Sequence, residues 1–259
     1  MSMTPSIAPE LLLAAYASGI FPMADSRDAS DTYWVEPEVR AVLPLDGFRC
    51  SRSLAKAVRQ GRFHVTTDTA FADVVRACAA PDPGREGTWI SGVIERSYAA
   101  LHDIGHAHSV ECWDGAALVG GLYGVSLGRA FFGESMFSRS RDASKVALAW
   151  LVARLRAGGF TLLDCQFQTA HLASLGAIEM PQADYLTLLQ GAVSAGGAAG
   201  AGAEVGAGAG VTGAAGDWGA LDALLAAAAT RGPEAGASDA SSTARSPGQL
   251  IAQLLTNTS

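Results

Sequence analysis

The sequence predicts a mixed α/β protein in which helices pack on a sheet of both parallel and antiparallel strands. Three observations carry this. Helical periodicities and short apolar runs alternate from about residue 49 to residue 167. An Asp114-Gly115 pair inserts a hairpin into that alternation, which argues against a purely parallel, doubly wound sheet. The 259 residues, 49% of them hydrophobic, are enough for one sizeable core.

Taken in order, residues 8–18 read as a helix with Pro9 and Glu10 at its start, stopped by a Gly19-Ile20-Phe21-Pro22 turn. Its apolar run is not a secretion signal, because it follows Glu10 rather than a basic segment and is broken by Tyr16, Ser18 and Gly19. Residues 33–35 and 41–44 read as extended segments separated by Pro37, and a small N-terminal domain is expected over 1–48. A second, larger domain is expected over 49–190. It begins with a helix over 51–61, a strand over 63–67, and helices over 70–80 and 91–105. A strand over 108–113 then turns through Asp114-Gly115 into 117–125, followed by a strand over 129–132, a helix over 144–157 and a strand over 161–167. Beyond Leu189 the character changes. Twenty of the 26 residues in 191–216 are Gly or Ala, too little side chain to offset ordering entropy, so a disordered linker is expected. The rest of the 191–259 tail offers two short helices, at 218–228 and 246–259.

Bulk properties exclude several classes. No run approaches the roughly 20 apolar residues that cross a bilayer, so a cytoplasmic protein with no membrane partner is expected. Cys50, Cys78, Cys112 and Cys165 are widely spaced, with no C-x-x-C pair, and read as reduced thiols. The net charge of −7 does not announce a nucleic-acid binder. Yet the stretch from Gly47 to Thr67 holds Arg49, Arg52, Lys56, Arg59 and Arg62 and no acid. Arg52, Lys56 and Arg59 share one helix face, which is either a solvated surface or one that follows phosphates.

Three motifs are set aside. His102, His106 and His108, with Glu111, invite a metal reading, but Gly105 ends the helix among them and no metal is expected. Gly133-Glu-Ser-Met-Phe137 has phenylalanine where a nucleophile elbow needs its second glycine. The glycines from Gly120 to Gly128 match neither a P-loop nor a dinucleotide fingerprint, so no cofactor is expected.

Two strands carry carboxylates that are costly to bury without purpose. In residues 162–168, alternation puts Leu163, Cys165 and Phe167 on one face and Asp164, Gln166 and Gln168 on the other. Glu134 sits between Phe131, Phe132, Met136 and Phe137, a setting for a pocket with an apolar end and an amine-binding end. If the strands are neighbours, Glu134 and Asp164 face one cleft.

Several motifs occur together in order: Ala15-Tyr16 with Gly19-Ile-Phe-Pro22, Glu86-Gly-Thr-Trp-Ile90, Gly105-His-Ala-His-Ser109, Gly120-Gly-Leu-Tyr-Gly124, Gly133-Glu-Ser-Met-Phe-Ser-Arg139, Ala143-Ser-Lys145, Asp164-Cys-Gln166 and His171-Leu-Ala-Ser-Leu-Gly176. Over residues 8–190 the chain resembles the bacterial leucyl/phenylalanyl-tRNA-protein transferases. The resemblance implies an acyltransferase fold related to the N-acetyltransferases, with a small N-terminal domain. It implies a monomer that moves Leu or Phe, and less well Met, from aminoacyl-tRNA to proteins beginning with Arg or Lys, marking them for degradation. By matching positions it implies that Asp164 and Gln166 are the catalytic pair and that Glu134 positions substrate. Tyr16, Met23, Trp89, Phe131 and Met136 would form the aminoacyl-adenosine pocket, with Met23 where many members carry Trp. The Arg49–Arg62 stretch would hold tRNA. An acetyl-CoA-dependent N-acetyltransferase and a non-catalytic tRNA-binding module on the same fold are the alternatives.

Overall fold

The computed structural model describes residues 5–81, 87–194, 214–230 and 246–256. The described chain opens with helix α1 (Pro9–Ala17), which has Pro9 in its first turn, and a two-stranded antiparallel ribbon of β1 (Phe21–Met23) and β2 (Tyr33–Val35). Seven further strands form one sheet: β3 (Val39–Val42), β4 (His64–Thr67), β5 (Ala107–Asp114), β6 (Ala117–Leu127), β7 (Ala130–Ser138), β8 (Leu162–Gln166) and β9 (Ile178–Pro181). Their order is β4-β5-β6-β7-β8-β3-β9. All neighbours run antiparallel except β7 and β8, which are parallel. A parallel pair needs a crossover, supplied here by the long helix α5 (Ala143–Ala157).

Alternate residues along the central strands feed two separate cores. Val110, Leu122, Phe131 and Leu163 enter one, shared with α2 (Arg52–Arg59), α5, α8 (Ala220–Thr230) and α9 (Pro247–Thr256). Ala107, Tyr123, Phe132 and Leu162 enter the other, shared with α1, α3 (Phe71–Ala79), α4 (Gly92–Asp103) and α7 (Gln182–Ser194). The mixed α/β sheet expected from the sequence is therefore observed, with helices on both faces.

Four local expectations change. Residues 21–23, read as a turn, form β1. The extended segment read at 41–44 lies at Val39–Val42, and it sits inside the large sheet between β8 and β9 because Arg40, which hides its alternation, is buried. The strand read as ending at Phe132 runs on to Ser138, since a β-bulge absorbs Glu134. Helices α6 (Ala170–Ser174) and α7 and strand β9 carry no expectation from the sequence; α6 spans barely one turn and β9 is only four residues long. Of the stretch read as a linker over 191–216, residues 191–194 close α7 and residues 195–213 lie outside the described residues. Among the described residues no helix is long and apolar enough to cross a membrane.

The segment from residue 214 to 230 docks firmly against the sheet. Trp218 stacks on His108 at 4.2 Å and on Phe131 at 5.5 Å, and its indole N–H donates to Asp68 Oδ2 at 2.8 Å. Arg154, 2% exposed on α5, lies over the Trp218 ring and donates to both carboxylate oxygens of Asp222 at 2.7 Å. These contacts hold α8 against α5. Trp218→Ala removes the stacked ring and is expected to cost roughly 3 kcal/mol in urea unfolding; a loss of under about 0.5 kcal/mol, the range of an ordinary surface change, would show that the segment does not brace the fold.

Candidate active site

The parallel pair of β7 and β8 ends early. Their register runs Ala130↔Leu162, Phe131↔Leu163 and Phe132↔Asp164, after which β8 pairs only with β3 while β7 continues beside β6. A cleft opens at the carboxyl ends of the parted strands, where sites in parallel α/β sheets form. The bulge aims Glu134 into it. Tyr123 pairs with Ser135 and Gly124 with Gly133, leaving Glu134 without a partner on β6. Gly124 is required there, since a Cβ would lie 2.2 Å from the Phe132 carbonyl oxygen.

The cleft contains a cavity of about 290 Å³. Its walls include Leu122, Met136, Leu148, Leu151, Leu163 and Leu172, and its polar groups include Glu134, Gln166, Thr169 and His171. An aliphatic lining is thus combined with a carboxylate and an amide. Glu134 accepts from Tyr16 at 2.8 Å, from Tyr98 at 2.7 Å and from the Gln166 side-chain amide at 3.3 Å. Burial pushes its carboxyl up to about 7, against the lowering effect of the hydrogen bonds from Tyr98 and Tyr16. Burial also raises both phenols well above their usual range, so they remain protonated donors.

Asp164 occupies a different environment. It is fully buried, and its oxygens receive Arg40 Nη2 at 2.6 Å, Arg40 Nε at 3.0 and 3.1 Å, the Tyr185 hydroxyl at 2.9 Å and the Gln166 backbone N–H at 2.8 Å. Every lone pair facing those donors is engaged, so this carboxylate is a fixed anchor. Gln166 has a φ of 55°, a left-handed conformation that is unfavourable for a residue with a side chain and is held by its N–H bond to Asp164. The turn breaks the strand alternation. Gln166 reaches Glu134, whereas Gln168 is diverted to the Ala177 carbonyl and Phe167 is left exposed against Phe21. Asp164 and Glu134 are thus linked through Gln166 rather than sharing one open face.

The pocket residues implied by resemblance fall into different places. Met136 lines the cavity. Tyr16 lies behind Glu134 as its hydrogen-bond donor. Phe131 is fully buried beneath Trp218, and the half-buried Met23 and Trp89 pack against the second core. Arg49, Arg52, Lys56, Arg59 and Arg62 are all exposed, and among the described residues none of them forms an ion pair. Ser51 caps α2 by accepting from the Leu54 N–H, and the stretch starts next to the cavity, because the Arg49 N–H donates to Leu175 just after α6. The three histidines have separate partners: Ala107 carbonyl for His102, Ser126 carbonyl for His106 and Asp68 for His108. Glu111 is buried and bonded to Thr66 and Ser109.

Sequence reading missed Arg40, Tyr98 and Tyr185, which orient the two carboxylates. Arg40 left one signal, a cation inside the apolar run from Val39 to Leu43. Tyr98 and Tyr185 look like ordinary core positions of amphipathic helices, and only their hydroxyl partners distinguish them.

Two family models match the chain: one described as leucyl/phenylalanyl-tRNA protein transferase over residues 42–190, and the N-terminal domain of the same family over residues 6–38. A leucyl/phenylalanyl-tRNA–protein transferase of Rhizorhabdus wittichii is 64% identical over 199 residues, covering 74% of this chain and 80% of that protein. One of Novosphingobium aromaticivorans is 64% identical over 187 residues, covering 72% and 71%. Among solved structures, L-PGS from Bacillus licheniformis is similar at a TM-score of 0.36 and 12% identity, over 64% of this chain and 55% of that one.

The Glu134 environment has a thermodynamic consequence. The folded carboxyl keeps its proton up to about 7, while the ordinary value is 4.5, so the native state loses stability as pH rises between the two. Glu134→Gln abolishes that loss. Relative to the unaltered protein, the variant is expected to gain roughly 3 kcal/mol between about pH 4.5 and about pH 8 in urea titrations. A difference that does not change with pH would mean that the carboxylate is solvated.

Proposed function

The chain belongs to the leucyl/phenylalanyl-tRNA protein transferase family, and we propose that its cleft joins the amino acid of an aminoacyl-tRNA to the N-terminal amine of an acceptor protein. It is an aminoacyltransferase. The observation that carries the site assignment is the cavity walled by five leucines and Met136 that also holds Glu134 and Gln166. A Leu or Phe side chain fills the aliphatic end, and its ester carbonyl then lies beside the amide and the carboxylate. Met is used less well but not excluded, because such a pocket discriminates small differences in side-chain shape by only about 1 to 3 kcal/mol. The acceptors are proteins beginning with Arg or Lys, and the joined amino acid marks them for degradation.

The groups divide the chemistry as follows. Asp164, fixed by Arg40 and Tyr185, holds Gln166 in its turn. The Gln166 amide N–H is committed to Glu134, which leaves its carbonyl oxygen to accept from the incoming amine. An N-terminal amine has a pKa of about 7.7 to 8.0 and must lose a proton to react. That first proton goes to solvent and the neutral amine attacks. As its nitrogen bonds to the ester carbon it sheds a second proton, which Glu134, titrating near 7, is matched to take. The bond from that carbon to the ribose oxygen then breaks, and Glu134 gives the proton to that oxygen. The ester is already activated, so the step needs no further energy source. The exposed cations from Arg49 to Arg62 hold the tRNA phosphates beside the cleft.

Labelled Leu-tRNA or Phe-tRNA with a peptide beginning with Arg or Lys is expected to give transfer, and acetyl-CoA none; the reverse pattern would make the chain an N-acetyltransferase. Glu134→Gln is expected to lower kcat about 100-fold or more with tRNA affinity unchanged. Normal turnover in that variant would remove Glu134 from proton transfer. Replacing Arg52, Lys56 and Arg59 together by Ala should weaken tRNA binding and flatten its salt dependence by about three phosphate contacts; an unchanged salt slope would move the tRNA elsewhere.

A further inference from the structure

A second cavity, about 330 Å³ in volume, adjoins the first and shares Met136 and His171 with it. Its remaining walls come from the end of α3 (Ala77, Ala80, Pro81), the end of β7 (Phe137, Ser138), Arg139, and Ser144 in the first turn of α5. Among the described residues that line it, Arg139 is the only formally charged side chain. Arg139 is exposed, its guanidinium lies over the Phe137 ring at 5.3 Å, and among the described residues that guanidinium makes one hydrogen bond, a long one of 3.4 Å to the Leu118 carbonyl. Among the described residues no carboxylate pairs with it. The nearby Asp142 is shared between Arg141 at 3.6 Å and Lys145 at 3.5 Å, and Asp73 on α3 is paired with Arg76. The Nε2 of His171 is buried with no hydrogen-bond partner. Burial, and secondarily the Lys145 charge, lower the pKa of that imidazole, so a cation already lies close to it.

Resting on the transfer reading above, we propose that this second cavity is an anion subsite in which Arg139, with His171, binds the phosphodiester of the tRNA 3′ end next to the aminoacylated nucleoside. The geometry gives the reason. An amino acid held among Leu148 and Leu151 places its ester, and the attached ribose, at the polar mouth of the first cavity, and the two cavities meet at Met136 and His171. The next group along the nucleic acid is a phosphate. A guanidinium over an aromatic ring still offers N–H groups to phosphate oxygens, and an imidazole nitrogen without a partner gains one. The same positive charge repels an acceptor beginning with Arg or Lys, so the acceptor enters from the other side of Glu134. The subsite therefore keeps the two substrates apart as well as fixing one of them.

The test compares two small donors, phenylalanyl-adenosine, which has no phosphate, and the phenylalanyl ester of the dinucleotide CpA, which has one phosphodiester. The unaltered protein should use both, with the lower KM for the dinucleotide ester. Arg139→Ala should raise KM for the dinucleotide ester about tenfold, with kcat within about twofold, and leave the nucleoside ester unchanged. Arg139→Lys should recover part of that loss. Equal changes on both donors, or none on either, would overturn the subsite. Absence of transfer by the unaltered protein from either donor and from Phe-tRNA would overturn the aminoacyl-transfer reading, and this proposal with it.

Discussion

The buried pair of Arg40 and Asp164 is the constraint on which the rest of the site depends. The two residues are 1% and 0% exposed. Two bare charges at such depth would be strongly destabilising, so the pair persists only because each group is fully satisfied. Arg40 adds a bond to the Gly19 carbonyl at 2.8 Å and lies between the Phe21 and Tyr185 rings, at 4.8 and 4.5 Å. Asp164 adds Tyr185 and the Gln166 N–H. One ion pair therefore ties β3 to β8, and both to α7 and to the turn after α1. Removing either partner would leave a buried charge alone and release Gln166.

With Asp164 committed to structure, the two carboxylates acquire different characters from their surroundings. Glu134 has no cation in direct contact, and its burial raises its affinity for a proton despite the hydrogen bonds from the two phenols. Its position comes from the bulge in β7 and the glycine opposite it, both local features of the chain. The aliphatic wall is supplied from the other face. Leu148 and Leu151 project from α5, whose outer side is held by α8 through Arg154, Asp222 and Trp218. The shape of the pocket thus depends on residues far along the chain from Glu134 and Gln166.

Much of this was legible in the sequence. Periodicity gave α1, α2, α5 and the central hairpin, because those elements have long, regular patterns. The motif carrying Asp164 and Gln166 and the one carrying Glu134 both lead to the cleft. What periodicity could not reveal were the contacts between distant segments. Arg40 and Asp164 are 124 residues apart, and nothing local marks them as partners. The alternation rule failed at Gln166, where one left-handed residue redirects the strand end, and strand β7 looked shorter than it is because Gly133 and Glu134 interrupt its apolar run. Phe131, a pocket residue by resemblance, lies beneath Trp218, a contact that no local pattern indicates.

The most direct test of the account is a crystal structure of the protein with a stable amide analogue of phenylalanyl-adenosine. The account predicts the phenyl ring between Leu122, Leu148 and Leu151, the carbonyl carbon beside Glu134 and Gln166, and the Arg40–Asp164 pair intact. A ring bound outside that cavity, or the analogue's amino group directly on Asp164 with Arg40 displaced, would contradict it.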